Sequence, residues 1–192
     1  MANEEHHLTP AELADKAWHL AEKIRIALVT TWDGEQQRIR PLSATVDRDA
    51  HAIHFLIGVS GGTTLAEATG APSLTLAQQV EKFPVVTLAF ADHGSHDYVT
   101  LTGRAAVSND RAKIKELYAE DWKIWFPEEG DPRHGTADDP RMVLIGVRVH
   151  AAVFLEVNKP QPVVLYEMAK GWLTGSDPDI GEMHRLQEPH RS

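Results

Sequence analysis

The sequence contains no cysteine. That excludes disulfides, thiolate metal centres and a cysteine nucleophile, and it suits a reducing compartment. No apolar run approaches the roughly 20 residues that a membrane-spanning helix needs. Basic residues are scarce: 19 Lys and Arg stand against 28 Asp and Glu, for a formal charge of -9. An acidic chain without a basic stripe is a poor match for nucleic-acid backbone. The opening MANEEHHLTP is acidic and polar, unlike a secretory signal, so a cytoplasmic protein is expected. There is no GxSxG elbow, phosphate-binding P-loop, Rossmann glycine fingerprint or zinc-protease helix.

What remains is a globular composition. The chain has 192 residues, 42% hydrophobic and 24% charged, enough for one domain with a sizeable core. Without a repeat, a low-complexity tract or a long linker, residues 1–192 read as a single unit. Its expected appendages are an N-terminal helix over 10–24 and a C-terminal helical tail over 160–192.

Local patterns place the elements. Thr9-Pro10-Ala11-Glu12 is a capping box with proline at the first helical position. Leu13, Ala17, Leu20, Ala21 and Ile24 then make one apolar face, which predicts a helix over 10–24. From there the period changes to two. Strands are expected at 26–32, 37–47 and 51–57, with turns at Asp33-Gly34 and Arg48-Asp49. Short helices are expected near 64–70 and 75–82, the second stopped by Pro84. Strands at 85–91 and 98–107, a helix over 110–125 and an acidic loop over 127–141 follow. Strands at 142–149 and 153–157 and a helix near 163–173 complete the reading. Short connections favour an antiparallel meander, and a sheet of this size curls to cover itself. The expected class is therefore mainly β with peripheral helices (α+β), built as a six- to seven-stranded antiparallel barrel.

Four groups of residues could carry chemistry. Arg38 and Arg40 share one strand face about 7 Å apart, a spacing that suits a phosphate gripped through forked hydrogen bonds. Pro41 lacks a ladder donor and marks an edge or a bulge. The helix starts at Thr63-Thr64 and at Ser73 and Thr75 could meet an anion, although hydroxyls there are ordinarily plain caps. Asp92–Asp97 (DHGSHD) offers N and O ligands, but no third histidine stands at ligand spacing, and no metal is expected. Trp122, Trp125 and Phe126 share a helical face, where core packing is the default. His51 and His54 fall on opposite strand faces and do not pair.

The ordered set Arg38-Ile39-Arg40-Pro41-Leu42, Val86–Asp92, Tyr98–Ala105, Asp110–Ile114 and Trp125-Phe126-Pro127 resembles a known family. So does the tail with Asn158-Lys159-Pro160 and Glu167–Lys170. Over about residues 15–185 the chain looks like the general stress protein branch of the pyridoxamine 5′-phosphate oxidase-like flavoproteins. The resemblance implies a split β-barrel homodimer with FMN in clefts at the subunit interface. It assigns Arg38, Arg40, Pro41, Leu42 and Ser43 to the phosphate end of the flavin, and Phe55, Leu56 and Ile57 to the strand along its rings. Ser73 and Thr75 take the place of hydroxyl contacts at a helix start, and Trp125 that of a partner-chain aromatic. Three departures stand out: the family's phosphate-binding lysine falls on Leu76, a Gly- and Thr-rich insertion over about residues 60–72 precedes it, and a Tyr-Trp pair near the last strand is replaced by Phe154-Leu155.

The implied function is an FMN-dependent oxidoreductase acting on a small-molecule redox substrate, with no catalytic side chain assigned. The alternatives are a non-enzymatic flavin-binding stress protein, and a homodimer that has lost FMN and holds another ligand such as a deazaflavin or haem.

Overall fold

The structure, a computed structural model, describes residues 9–58, 74–92, 94–120, 130–156, 160–177, 179 and 181–187. The chain opens with helix α1 (Pro10–Ile24), then strands β1 (Ile26–Trp32), β2 (Gln37–Ser43), β3 (Thr45–Asp47) and β4 (Ala52–Gly58). Helix α2 (Leu76–Lys82), strands β5 (Val85–Asp92) and β6 (Asp97–Ser108) and helix α3 (Arg111–Leu117) follow. Strand β7 (Met142–Glu156), helix α4 (Gln161–Thr174) and strand β8 (Glu182–Gln187) complete the order.

One antiparallel sheet runs β2-β1-β5-β6-β7-β4-β3, with β8 added on β7. The two ends of that order, β2 and β3, are one stretch of chain bent at Ala44. Its N–H donates to the Arg25 carbonyl at 2.8 Å. The sheet therefore curls into a half-barrel whose margins are joined covalently.

Period-two alternation decides which face is filled. Ala27 and Val29 of β1, Val86, Leu88 and Phe90 of β5, and Val99 and Leu101 of β6 are buried inside the curl. α1 closes one end, reaching β1, β3, β5, β6, β7 and β8 and adding Ala17, Trp18, Leu20 and Ala21 to the core. Each fully buried Leu or Phe is worth about 1.5–3 kcal/mol. The capping box forms in both directions: Glu12 N–H donates to Thr9 Oγ1 at 3.3 Å, and Thr9 N–H to Glu12 Oε2 at 2.8 Å. A smaller core of Leu56, Ile114, Met142 and Leu144 seats α3 on the other side of β4.

The fold class is as expected, with local differences. The single strand expected over 37–47 breaks at Ala44, because the bend there joins the sheet's margins. The two strands expected after 142 are one. β4 covers one edge of β7 over 142–148, and β8 takes over the same edge from 151 to 156. Eight strands are thus present among the described residues rather than six or seven. The tail expected to be helical holds β8, because the edge of β7 extends beyond β4 and recruits it. His51 lies in the turn before β4, at φ 50°, rather than in the strand. α3 ends at Leu117, not 125. The helix expected near 64–70 and residues 121–129 lie outside the described residues.

Between Thr102 and Gly103 the β6–β7 register shifts, leaving His150 unopposed as a bulge. A Cβ on Gly103 would sit 2.5 Å from the Arg148 carbonyl oxygen, so the close approach requires glycine. The end of the acidic loop is pinned by buried Asp139, whose Oδ2 accepts from Arg141 Nη2 at 2.7 Å and from Gly135 N–H at 2.9 Å. Burial works against this carboxylate, but those donors hold its pKa at about 2.

Candidate functional site

β2 is the end strand of the sheet order, which accommodates Pro41 without a lost ladder bond. Its burial alternates, so Arg38, Arg40 and Leu42 turn to the sheltered side while Ile39, Pro41 and Ser43 turn out. The five residues assigned to the phosphate end therefore divide between two faces, and only Arg38 and Arg40 can present cations to one anion.

Each arginine is held differently. Arg38 Nε donates to Asp33 Oδ2 at 2.6 Å. Asp33 is fixed in turn by the N–H groups of Gln36 and Glu35, both 2.9 Å from Oδ1. Those two N–H groups, then the guanidinium, hold the Asp33 carboxyl at about 2. Among the described residues the Nη groups of Arg38 carry no hydrogen bond. The fork is oriented and still free to bind.

Arg40 is half-buried. Its Nη1 donates to Thr31 Oγ1 at 3.1 Å and to Gln79 Oε1 at 3.0 Å. Thr31 is 2% exposed and Gln79 0%. Thr31 Oγ1 donates to Gln79 Oε1 at 2.7 Å, and Gln79 Nε2 donates to the Leu74 carbonyl at 2.7 Å. No carboxylate touches this guanidinium among the described residues. Its pKa is lowered by burial, then by the neighbouring Arg38, though arginine remains charged. A partly desolvated cation whose direct partners are all neutral favours an anion strongly.

Through Gln79, Arg40 is wired to the chain just before α2. Thr75 is the N-cap there: its Oγ1 accepts from Gln78 N–H at 3.3 Å, and its N–H donates to Gln78 Oε1 at 2.9 Å. The hydroxyl thus works as a helix cap. Leu76 is 6% exposed and packs in the main core, so this position offers no charge. Phe55 and Ile57 point into the barrel core, and Leu56 points the opposite way, against α3. All three are buried. Ser73 and Trp125 lie outside the described residues. The Asp92–Asp97 turn is an ion-paired tie to α1: Lys23 Nζ lies 3.0 Å from Asp97 Oδ2 and 3.3 Å from Asp92 Oδ2.

Gln79, Thr31 and Asp33 were not anticipated as part of this site. Asp33 read only as a turn residue. Gln79 carried no local signal beyond being a glutamine between apolar neighbours on a short helix.

A curled antiparallel sheet with an arginine pair on its end strand defines a half-barrel protein. The chain belongs to the pyridoxamine 5′-phosphate oxidase-like family, whose model matches residues 12–179. Solved structures agree in fold. One is a Jannaschia sp. CCS1 protein provisionally called general stress protein 26 (25% identity, TM-score 0.60, 92% of this chain and 99% of that one). Another is the general stress FMN/FAD binding protein of Xanthomonas citri (18% identity, TM-score 0.60, 79% and 92%). A third is general stress protein 26 of Bacillus anthracis (14% identity, TM-score 0.56, 74% and 92%). Among curated proteins the chain is 25% identical to bli-3 of Neurospora crassa over 104 residues, which is 54% of this chain and half the length of that relative.

Proposed function

We propose that this chain is an FMN-binding protein of the general stress type, a homodimer in which Arg38 and Arg40 grip the flavin phosphate. The observation that carries the reading is Arg40, half-buried, charged and, among the described residues, hydrogen-bonded to the neutral Thr31 and Gln79 alone. Arg38 adds a second fork held in place through Nε. Gln79 fixes Arg40 against both β1 and the start of α2, so little ordering remains to be done when an anion arrives. The X. citri relative, described as FMN/FAD binding, supports the choice of flavin.

A second surface supports the dimer. Ile26, Leu28 and Trp32 of β1, Ile39 of β2, Val85 of β5 and Tyr98 of β6 are all exposed on the outward face of the sheet. Thr30, Thr87, Ala89, Thr100 and Thr102 on that face are small and uncharged, and the exposed Arg104 and Arg148 stand at its margin beside Val85. A broad apolar sheet face of this kind is an interface in waiting, and a second copy covers it symmetrically.

When bound, the flavin supplies hydride and one-electron chemistry to a small-molecule substrate. The protein's part is to hold the phosphate. The absence of cysteine suits a cytoplasmic location, and no helix among the described residues is long and apolar enough to cross a membrane.

A second reading has its own observation. Leu76, buried where the family resemblance expects a lysine, leaves the site one cation short, which favours a homodimer that takes another anionic ligand in place of FMN. Protein purified without added cofactor decides between them. FMN released on denaturation at near one per chain supports the first reading, and Arg40→Ala then weakens flavin binding about 10- to 100-fold, or about 1.5–3 kcal/mol. A colourless protein that also fails to take up added FMN favours the second. Bound flavin that no reductant bleaches makes the chain a non-enzymatic flavin carrier.

A further inference from the structure

Helix α4 is built inside out. At about 100° per residue, Met168, Trp172, Leu165, Ala169, Leu173 and Tyr166 fall in that order around one arc of about 160°. The arc faces solvent: Trp172 is 86% exposed, Leu173 75%, Leu165 70% and Tyr166 65%. The opposite side, with Val164, Glu167 and Gly171, is the partly buried one. A surface helix ordinarily does the reverse. Exposed Trp and Tyr flanked by leucines form the kind of patch that becomes the centre of a protein interface.

The chemistry of the helix narrows the occupant. An interfacial membrane helix needs Lys or Arg on its polar face. α4 has only Lys170, already paired with Glu167 at 3.2 Å, and the whole chain carries a formal charge of -9. An anionic lipid surface is therefore a poor match. The matching surface is on the chain itself. α4 leads into β8, where Met183 is 75% exposed. Met183 opposes Leu155 and Leu155 opposes Tyr98 in register, so these side chains form a row on the outward sheet face. α4 thus grows from the margin of the face proposed to pair. Its fourteen residues span about 21 Å, the width of about four strands at 4.8 Å each.

We infer that α4 is an exchanged arm: in the homodimer it lies across the outward face of the partner's β1–β2 hairpin, its Trp172 and Leu165 side packed toward the exposed Ile39 and Trp32 there. The inference rests on the two-fold pairing proposed above. Reciprocity follows from symmetry, since an arm that overhangs one edge of a two-fold interface does so twice. The arm also shields the apolar side of the strand that carries Arg38 and Arg40 on its other side.

The cysteine-free sequence makes the test direct. Chains carrying Trp172→Cys are mixed with chains carrying Ile39→Cys and treated with a short bismaleimide. Because each chain has one thiol, a Trp172→Cys to Ile39→Cys product can form only between chains. The expected result is that product in high yield, with little from Trp172→Cys mixed with Lys115→Cys on α3. Sedimentation equilibrium of Trp172→Glu and Leu165→Glu should show the dimer weakened at least 10-fold, with unfolding curves confirming that both variants fold. No cross-link, with dimers as tight as wild type, overturns the arm while leaving the dimer intact. A wild-type chain that stays monomeric overturns both. Leu28→Glu, on the sheet face itself, separates the two: it breaks the dimer whether or not the arm contributes.

Discussion

α1 and α4 have nearly the same length, 15 and 14 residues, yet their large apolar side chains face opposite ways. α1 turns Ala17, Trp18, Leu20 and Ala21 into the barrel and leaves Asp15, Glu22 and Lys23 outside. α4 turns Leu165, Trp172 and Leu173 outward and keeps Glu167 toward its own chain. α1 begins with a complete capping box, whereas α4 begins at Pro160 without a side-chain cap. The contrast teaches that an apolar stripe reports what a helix needs to cover and is silent on which molecule covers it. One helix is stabilised by its own barrel; the other waits for a surface from elsewhere.

The comparison can be pressed in several ways, the largest effect first. Leu20→Ala empties part of the barrel mouth and should cost about 2–5 kcal/mol in urea unfolding. Thr9→Ala removes the cap that α1 has and α4 lacks, at a cost of about 1 kcal/mol by the same measurement.

A smaller effect is set by pH. The Gly94 N–H, then the Ser95 hydroxyl and the Lys23 ammonium, hold the Asp92 carboxyl at about 2. A carboxylate depressed from 3.8 contributes stability in full above that ordinary value and loses it as pH falls through about 2. The tie between α1 and the β5–β6 turn should therefore fail over that range, and acid titration of Asp92→Asn should show a flatter stability profile there than wild type. Smallest of all, Leu165→Ala should shift unfolding by less than about 0.5 kcal/mol at concentrations where the chain is monomeric. A loss near that of Leu20→Ala under those conditions would mean that α4 is covered by its own chain after all.

α1 was legible because its signals are local: a cap, a proline and a stripe all agree within fifteen residues. β1, β5 and β6 were legible for the same reason, each bounded by turn residues and alternating cleanly. β8 was not, because Met183 and Leu186 sit among polar neighbours and the strand forms only where β7 extends beyond β4. The break at Ala44 was equally hidden, since closing a curled sheet is a property of the whole. At the candidate site the arginine pair and its edge strand could be read from Arg38-Ile39-Arg40-Pro41. The neutral cradle could not. Thr31 and Gln79 meet Arg40, and the Leu74 carbonyl meets Gln79, only after β1, β2 and α2 have come together, and no spacing in the chain announces it.

The bend at Ala44 bears on the order of assembly. The β1–β2 and β3–β4 hairpins are local and can form early, but each must find a distant partner: Val29 pairs with Leu88, and Ile53 with Val147. Such pairings are slow to find because a long loop has to close first. Ala44 couples the two searches. Once β1 has settled on β5, the β3–β4 hairpin is tethered beside its target, and its docking becomes an intramolecular step at high effective concentration. A single residue thus turns two rare encounters into one, so the half-barrel gains its last margin almost as soon as it has its first.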